Sequence, residues 1–395
     1  MSRERKTPRR RFKEFQNAGA WEQRTFDDIA DYKKGPFGSA LKKDIFVPKG
    51  ETTVKIYEQQ NAINKDWSLE RYFITKEYAN KLSAFKVKGG DIIVSCAGTI
   101  GEIYELPIDA EPGIINQALM RIRVDENIVN KKMFTILFSN MIDNFTQVHS
   151  NGSAIKNIPP FSDLKPMKVL VPLYKEQKKI GEYLSNIDCV ITLNQRKLEK
   201  LKALKKAYLS QMFPSDGESK PKLRFAGFND EWKKRKLSEF TSYNSSSLTV
   251  NNAKEIGLYK LYDANGIIGY TNIEAQTDDY ITIIKDGAGV GRVRVLPKNT
   301  AFIGTMGAII PLKCDIYFLY NILSNTNFNK HISGGTIPHI YFSEYGNKKY
   351  YIPNIKEQQN IGVFFEKLDK LITLHQRKLE KLQNLKKAYL NEMFV

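Results

Sequence analysis

The chain has 395 residues, 42% hydrophobic and 26% charged, enough apolar material for two or three cored domains and too much for a disordered chain. Its 61 Lys and Arg against 43 Asp and Glu give a formal charge of +18, which fits a polyanionic partner. No apolar run reaches the roughly 18 residues of a membrane span and the N-terminal stretch lacks the apolar centre of a secretory signal, so the expected location is the cytoplasm.

The chain opens on a basic tail, residues 1–11. Arg3 to Lys13 holds seven basic residues and one acid. A first globular unit is expected over 12–170. Its short β-rich runs, such as Asp91-IIVS-Cys96 and Gly113-IINQALMRIRV-Asp125, alternate with Gly turns. A helix is expected over Ile128–Gln147. A long helical segment follows over 171–214, then a polar linker over 215–223 beside Pro214 and Pro221. A second globular unit spans 224–351, with the basic cluster Lys233 to Lys236, a strand at Tyr280-ITIIK-Asp286 and a helix at Ile316–His331. The chain closes on a second long helix over 352–395. The fold class read from this order is α+β, two globular bodies in tandem, each followed by a long helix.

The two long segments are copies of one another. Val171–Pro214 aligns without gaps on Ile352–Val395 at an offset of 181, with 25 of the 44 positions identical, including QRKLEKL at Gln195 and Gln376. A weaker repeat opens each half: Pro8, Arg11, Phe12 and Phe15 match Pro221, Arg224, Phe225 and Phe228, and Trp21 matches Trp232 across two extra residues. The duplicated unit is therefore body plus helix.

Apolar residues recur at alternating steps of three and four. They are Ile180, Leu184, Ile187, Ile191, Leu198 and Leu201 in the first copy, and Ile361, Phe365, Leu368, Ile372, Leu379 and Leu382 in the second. Both copies continue to Tyr208 and Met212, or Tyr389 and Met393, and both break at Asn194/His375 and Lys205/Lys386. This is a coiled-coil seam. The copies are each other's obvious partners, and an antiparallel pair is expected because a whole body separates them in the chain. A flanking stripe of Tyr183, Val190 and Leu204, matched by Phe364, Leu371 and Leu385, either packs on the bodies or docks another protein.

Candidate DNA contacts lie on the loops, where glycines let backbone approach phosphate and polar side chains can meet base edges. In the first unit these are Lys33, Lys34, Ser39, Lys42, Gln59, Gln60, Asn61, Thr99, Lys156 and Asn157. In the second they are Asn265, Tyr270, Asp286, Arg292, Arg294 and His339. Each of these loops could equally be an ordinary turn.

Catalytic signatures are missing. No GxxxxGK[ST] loop is present. Ile158-Pro-Pro-Phe161 has an apolar residue where an adenine methyltransferase needs a polar one. Three separated cysteines and four scattered histidines carry no metal spacing, so no metal site is expected.

With these residues in view, the sequence resembles the specificity subunit of a type I restriction–modification system over nearly its whole length. The twin KEQ…QRKLEKL…LKKAYL…MF segments resemble the family's two conserved helical regions. Gly35-Pro-Phe-Gly-Ser39, Gly98-Thr-Ile-Gly101, Tyr262 to Tyr270 and Asp286 to Arg292 lie in bodies that resemble its target-recognition domains. The resemblance implies a non-catalytic subunit whose two domains each read half of a split DNA site. It implies helices that set the gap and dock two modification (methyltransferase) subunits, with two restriction subunits able to join. S-adenosylmethionine and ATP with Mg would act on those partners, and no cofactor is expected on this chain. Two other readings stay open: the specificity subunit of a bipartite enzyme with one fused nuclease–methyltransferase partner, and a coiled-coil adaptor that binds no DNA.

Overall fold

A computed structural model describes residues 7–149, 158–215, 218–273 and 275–394. It divides into two compact units: residues 1–191 with 382–395, and residues 192–381. This division cuts across the linear order of bodies and helices, because the ends of each long helix belong to different units.

Unit 1 carries β1 (Glu22–Thr25), β2 (Ala30–Lys34), β3 (Thr53–Tyr57), β4 (Phe73–Thr75), β5 (Lys86–Val87), β6 (Ile92–Ser95), β7 (Ile103–Glu105), β8 (Gly113–Ile115), β9 (Leu119–Val124) and β10 (Lys168–Val171). One sheet has the order β2-β9-β6-β7 and a second β4-β3-β8-β5, while β1 and β10 pair alone. Side chains on a strand alternate between faces, and β6 shows what that does here. Ile92 and Val94 join the core beneath the helix Lys131–His149, with Phe134 and Phe138, whereas Ile93 joins a separate core with Tyr57 and Val87. The central sheet is thus buried on both sides.

The β-rich run 113–125 consists of two strands, β8 and β9. Leu119 N donates to Asn116 O at 3.1 Å, and Ala118 N to Asn116 Oδ1 at 3.1 Å, which makes a turn. β8 then pairs parallel with β3, and β9 pairs antiparallel with β2 and β6, so the chain steps from one sheet to the other.

Unit 2 repeats the plan with β11 (Lys233–Lys236), β12 (Thr241–Ser245), β13 (Tyr259–Tyr262), β14 (Ile267–Thr271), β15 (Tyr280–Ile284), β16 (Val293–Leu296), β17 (Thr300–Phe302), β18 (Met306–Pro311) and β19 (Lys349–Ile352). Its sheets are β12-β18-β15-β16, β14-β13-β17 and the pair β11-β19. Ile281 and Ile283 face the core under the helix Ile316–Ser324, while Tyr280 and Ile284 face the other core. That helix opens where Asp315 Oδ1 accepts from Phe318 N at 2.9 Å. It ends at Ser324, seven residues before the limit expected from the apolar pattern, and 325–331 continue as turns with a short 3-10 helix at Asn329–His331. The basic cluster 233–236 is β11, where Lys234 lies over the Tyr351 ring of β19.

The long helices run Tyr174–Met212 and Ile355–Met393, each starting two residues after a buried proline, Pro172 or Pro353. Among the described residues no helix is long and apolar enough to cross a membrane.

Candidate nucleic-acid interface

Strand register gathers three loops at one end of the central sheet of unit 1. Lys34, the last residue of β2, faces Met120 at the start of β9, and Ser95, the last of β6, faces Leu119. The stretches Gly35–Ala40, Asn116–Ala118 and Cys96–Gly101 therefore leave the sheet together. They are tied by Gly35 N donating to Leu119 O at 2.8 Å and Cys96 N to Ala118 O at 2.8 Å. A Cβ on Gly35 would collide with the Asn116 carbonyl, so this close approach requires glycine. Unit 2 builds the same end from 246–249, 303–305 and 285–292. There Gly304 N donates to Leu248 O at 2.7 Å and Lys285 N to Thr305 O at 3.0 Å.

Among the sequence-predicted contacts, Lys33, Lys34, Ser39 and Thr99 lie at this end of unit 1, and Asp286, Arg292 and Arg294 at that of unit 2. Lys42 is exposed on the loop that follows β2. Gln60 is exposed and Gln59 half-buried on the short helix Gln59–Ile63, which follows β3 just after Tyr57, whose carbonyl accepts from Asn116 N at 3.0 Å. Asn61 needs correcting. It is buried, with Oδ1 accepting from Glu58 N at 2.8 Å and Nδ2 donating to the Asp66 and Leu69 carbonyls, so its amide is used inside the fold. Lys156 and Asn157 lie outside the described residues. Arg292 and Arg294 both reach back to the Ala264 carbonyl, the latter at 3.2 Å, and so brace the turn that presents Asn265. Tyr270 is exposed on β14. His339 Nδ1 lies 2.7 Å from Asp286 Oδ1, which joins the glycine-rich loop 286–292 to the loop 333–339.

The long helices meet within each unit. In unit 1, early residues of the first face late residues of the second: the Tyr183 and Tyr389 rings lie edge to face at 5.2 Å, and Asp188 pairs with Lys386 at 2.6 Å. In unit 2, Tyr208 meets Phe364 at 5.0 Å, and Lys205 Nζ lies 2.6 and 2.8 Å from the Asp369 carboxylate oxygens. These contacts exchange under the 181-residue offset, which is the signature of an antiparallel pair with two-fold repetition. The two lysines that break the apolar seam thus find aspartates shared by both copies.

Ile180, Leu184 and Leu198 are buried and Ile187, Ile191 and Leu201 half-buried; Ile361, Phe365 and Leu368 are buried and Ile372, Leu379 and Leu382 half-buried. In the flanking stripe, Val190, Leu204, Leu371 and Leu385 are exposed. Tyr183 and Phe364 instead pack inside their units, against Phe12 and Phe225 respectively, because they sit where the helix passes the opening segment of each body.

At the other seam break, Asn194 is buried and His375 half-buried. Desolvation, with Lys197 and Lys378 nearby, holds the His375 imidazole below its usual range. A depressed histidine pKa favours the folded state while the ring is neutral, and that advantage is lost as pH falls below the unfolded value of about 6.5. His375→Asn, the residue of the first copy, is expected to remove this part of the pH dependence, seen as a smaller Tm difference between pH 7.5 and pH 5.5.

Sequence reasoning missed one duplicated device. Arg11 grips the buried Glu176 through Nε at 2.8 Å and Nη2 at 2.5 Å, and Arg224 grips Glu357 at 2.8 and 2.7 Å. The adjacent glutamines complete it. Gln177 accepts from Asn130 N at 2.8 Å and donates to the Ile128 and Pro172 carbonyls; Gln358 accepts from Asp315 N at 3.0 Å and donates to Pro353 O. Each long helix is thereby clamped to its body at its first turn. The shared KEQ and the matched arginines were the available signal.

Comparison with known proteins agrees with this geometry. The family described as type I restriction modification DNA specificity domain matches residues 19–203 and again 229–384. The MjaVIII type I restriction enzyme specificity subunit of Methanocaldococcus jannaschii is 21% identical over 387 residues, covering 87% of this chain and 90% of its own. The EcoprrI specificity subunit of Escherichia coli is 22% identical over 312 residues, covering 74% and 75%. The crystal structure of a type I restriction–modification S subunit from M. genitalium shares the fold, with a TM-score of 0.66 at 20% identity over 98% of this chain and 99% of that one. With two matched regions, two bodies of one plan and two antiparallel helices, the chain belongs to the type I restriction–modification DNA specificity domain family and has the tandem organisation of a specificity subunit.

Proposed function

We propose that each unit reads one half of a bipartite DNA site through the loops at the end of its central sheet. The antiparallel helices set the gap between the half-sites, and their exposed apolar stripe docks two methyltransferase subunits. This chain supplies recognition rather than chemistry; S-adenosylmethionine, and ATP with Mg where restriction subunits join, act on the partners. The observation that carries this reading is that two units of one plan hold chemically different loops at the same place, Gly35-Pro-Phe-Gly-Ser39 against Ser246-Ser-Leu-Thr249, and Cys96–Gly101 against Lys285–Arg292. Equivalent scaffolds with unlike loops suit two unlike half-sites.

The test is a ruler experiment. One heptad added at matched positions in both helices lengthens each by about 10 Å, or roughly three base pairs at about 3.4 Å each. Co-expression with the methyltransferase partner, followed by methylation-sensitive long-read sequencing, is expected to show unchanged half-sites at a longer gap. A folded variant that modifies sites at the original gap refutes the ruler. Wild-type protein that directs no methylation, and shifts no duplex with its partner present, favours the adaptor reading.

A further inference from the structure

Phe37 has the most exposed side chain of any large apolar residue described, at 88%. An isolated exposed aromatic on a mobile loop would carry no argument, but this loop is held on every side. Gly35 N is bonded to Leu119 O, Pro36 is buried, Ala40 N donates to Phe37 O at 2.9 Å, and Tyr78 Oη donates to Ala40 O at 3.1 Å. Beyond the ring, Ala40 and Leu41 pack on the core of Ile56, Ile74 and Ile114. The ring therefore stands in solvent on a fixed mount.

Its surroundings name the partner. The stretch Lys33-Lys-Gly-Pro-Phe-Gly-Ser-Ala-Leu-Lys-Lys43 has two lysines before Phe37 and two after it in sequence, with no acid between, and Lys33 lies over the Phe85 ring. An apolar protein surface would have to desolvate those ammonium groups, whereas a nucleic acid offers phosphates to them and a stack of flat apolar faces to the ring. The loop also leaves the sheet beside Cys96–Gly101, among the loops assigned above to reading DNA. In unit 2 the corresponding stretch has no aromatic, and its Leu248 is buried.

We infer that Phe37 is a wedge that enters a base step at or beside the half-site read by unit 1, opening the stack there and not at the other half-site. This rests on the DNA-reading role proposed above. A ring already fixed in place loses little freedom on insertion, and so holds the opened step efficiently.

The test uses the full chain assembled with its methyltransferase subunits. The probe is a duplex carrying the methylation-mapped site, with 2-aminopurine placed in turn at steps across both half-sites and the gap. Apart from any rise at the bases that the methyltransferase subunits flip out, which does not depend on Phe37, a fluorescence rise is expected at one step next to one half-site. Phe37→Ala should abolish that rise and weaken binding by about 10- to 100-fold, the scale of one base–aromatic stack. Phe37→Trp should keep both. Lys33→Ala with Lys34→Ala should weaken binding and flatten its salt dependence while the rise at saturation remains. Unchanged affinity and fluorescence in Phe37→Ala overturns the wedge, as does loss of methyltransferase co-purification with DNA binding intact. Wild-type complex that binds no duplex overturns the DNA-reading role itself, and the wedge with it.

Discussion

Arg224→Ala is expected to destabilise unit 2 by about 3–5 kcal/mol, the cost of leaving a buried charge unpaired. Glu357 exposes 1% of its side chain and Arg224 14%, and the two are joined by two hydrogen bonds in a fork that lysine cannot reproduce. Bonding to Glu357 also raises the Arg224 pKa, so the guanidinium has no route to neutrality. Arg11→Ala should act alike in unit 1, where the exposures are 6% and 1%. Urea denaturation of each variant measures the loss. Replacing both partners of one pair with leucine is expected to cost much less, since neither charge is then stranded. A loss below about 1 kcal/mol in the single variants would mean that water reaches the carboxylate.

Phe365→Ala is expected to cost unit 2 about 3–5 kcal/mol, because the side chain is fully buried and its removal leaves a cavity that the surroundings fill only in part. Phe365 packs on Phe213 and Phe364 at 6.0 and 5.2 Å. The first copy has Leu184 at the same place, also fully buried. Phe365→Leu therefore keeps an apolar group that the duplicated backbone already accepts once, and a smaller loss is expected than for alanine. Thermal and urea unfolding separate the two variants; equal losses would show that the Phe213 and Phe364 rings, rather than the volume, decide the site.

The long helices were readable because burial follows one period for 39 residues, and the duplication printed that period twice. Their partnership was readable too, since the polar breaks at Lys205 and Lys386 fall at matched positions, but the aspartates that answer them were not. Asp188 and Asp369 lie off the apolar stripe, and only the antiparallel register brings each to the other copy's lysine. The bodies were legible only as a mixture. The turn at Asn116 changes sheet inside one β-rich run, marked in the sequence only by the polar pair Asn116-Gln117. The loop candidates show the same limit. Asn61 looks like a base reader by residue type, yet its amide completes a local turn, while Phe37 lies in a loop legible from sequence but its exposure is visible only in the fold.

One packing detail bears on how the protein is made. Trp21 meets the edge of Phe394 at 6.0 Å, Arg10 N donates to Glu392 O at 2.8 Å, and Met393 is buried in the core that contains Phe26 and Phe134. Residues 382–395 are synthesised after all of unit 2. The ribosome therefore releases an N-terminal body whose floor is still missing, and 190 residues of intervening chain (192–381) must emerge before that floor arrives. Unit 2 takes its matching piece, Phe213 against Trp232, from chain already made. Maturation thus runs against the order of translation: the half made first is the half completed last.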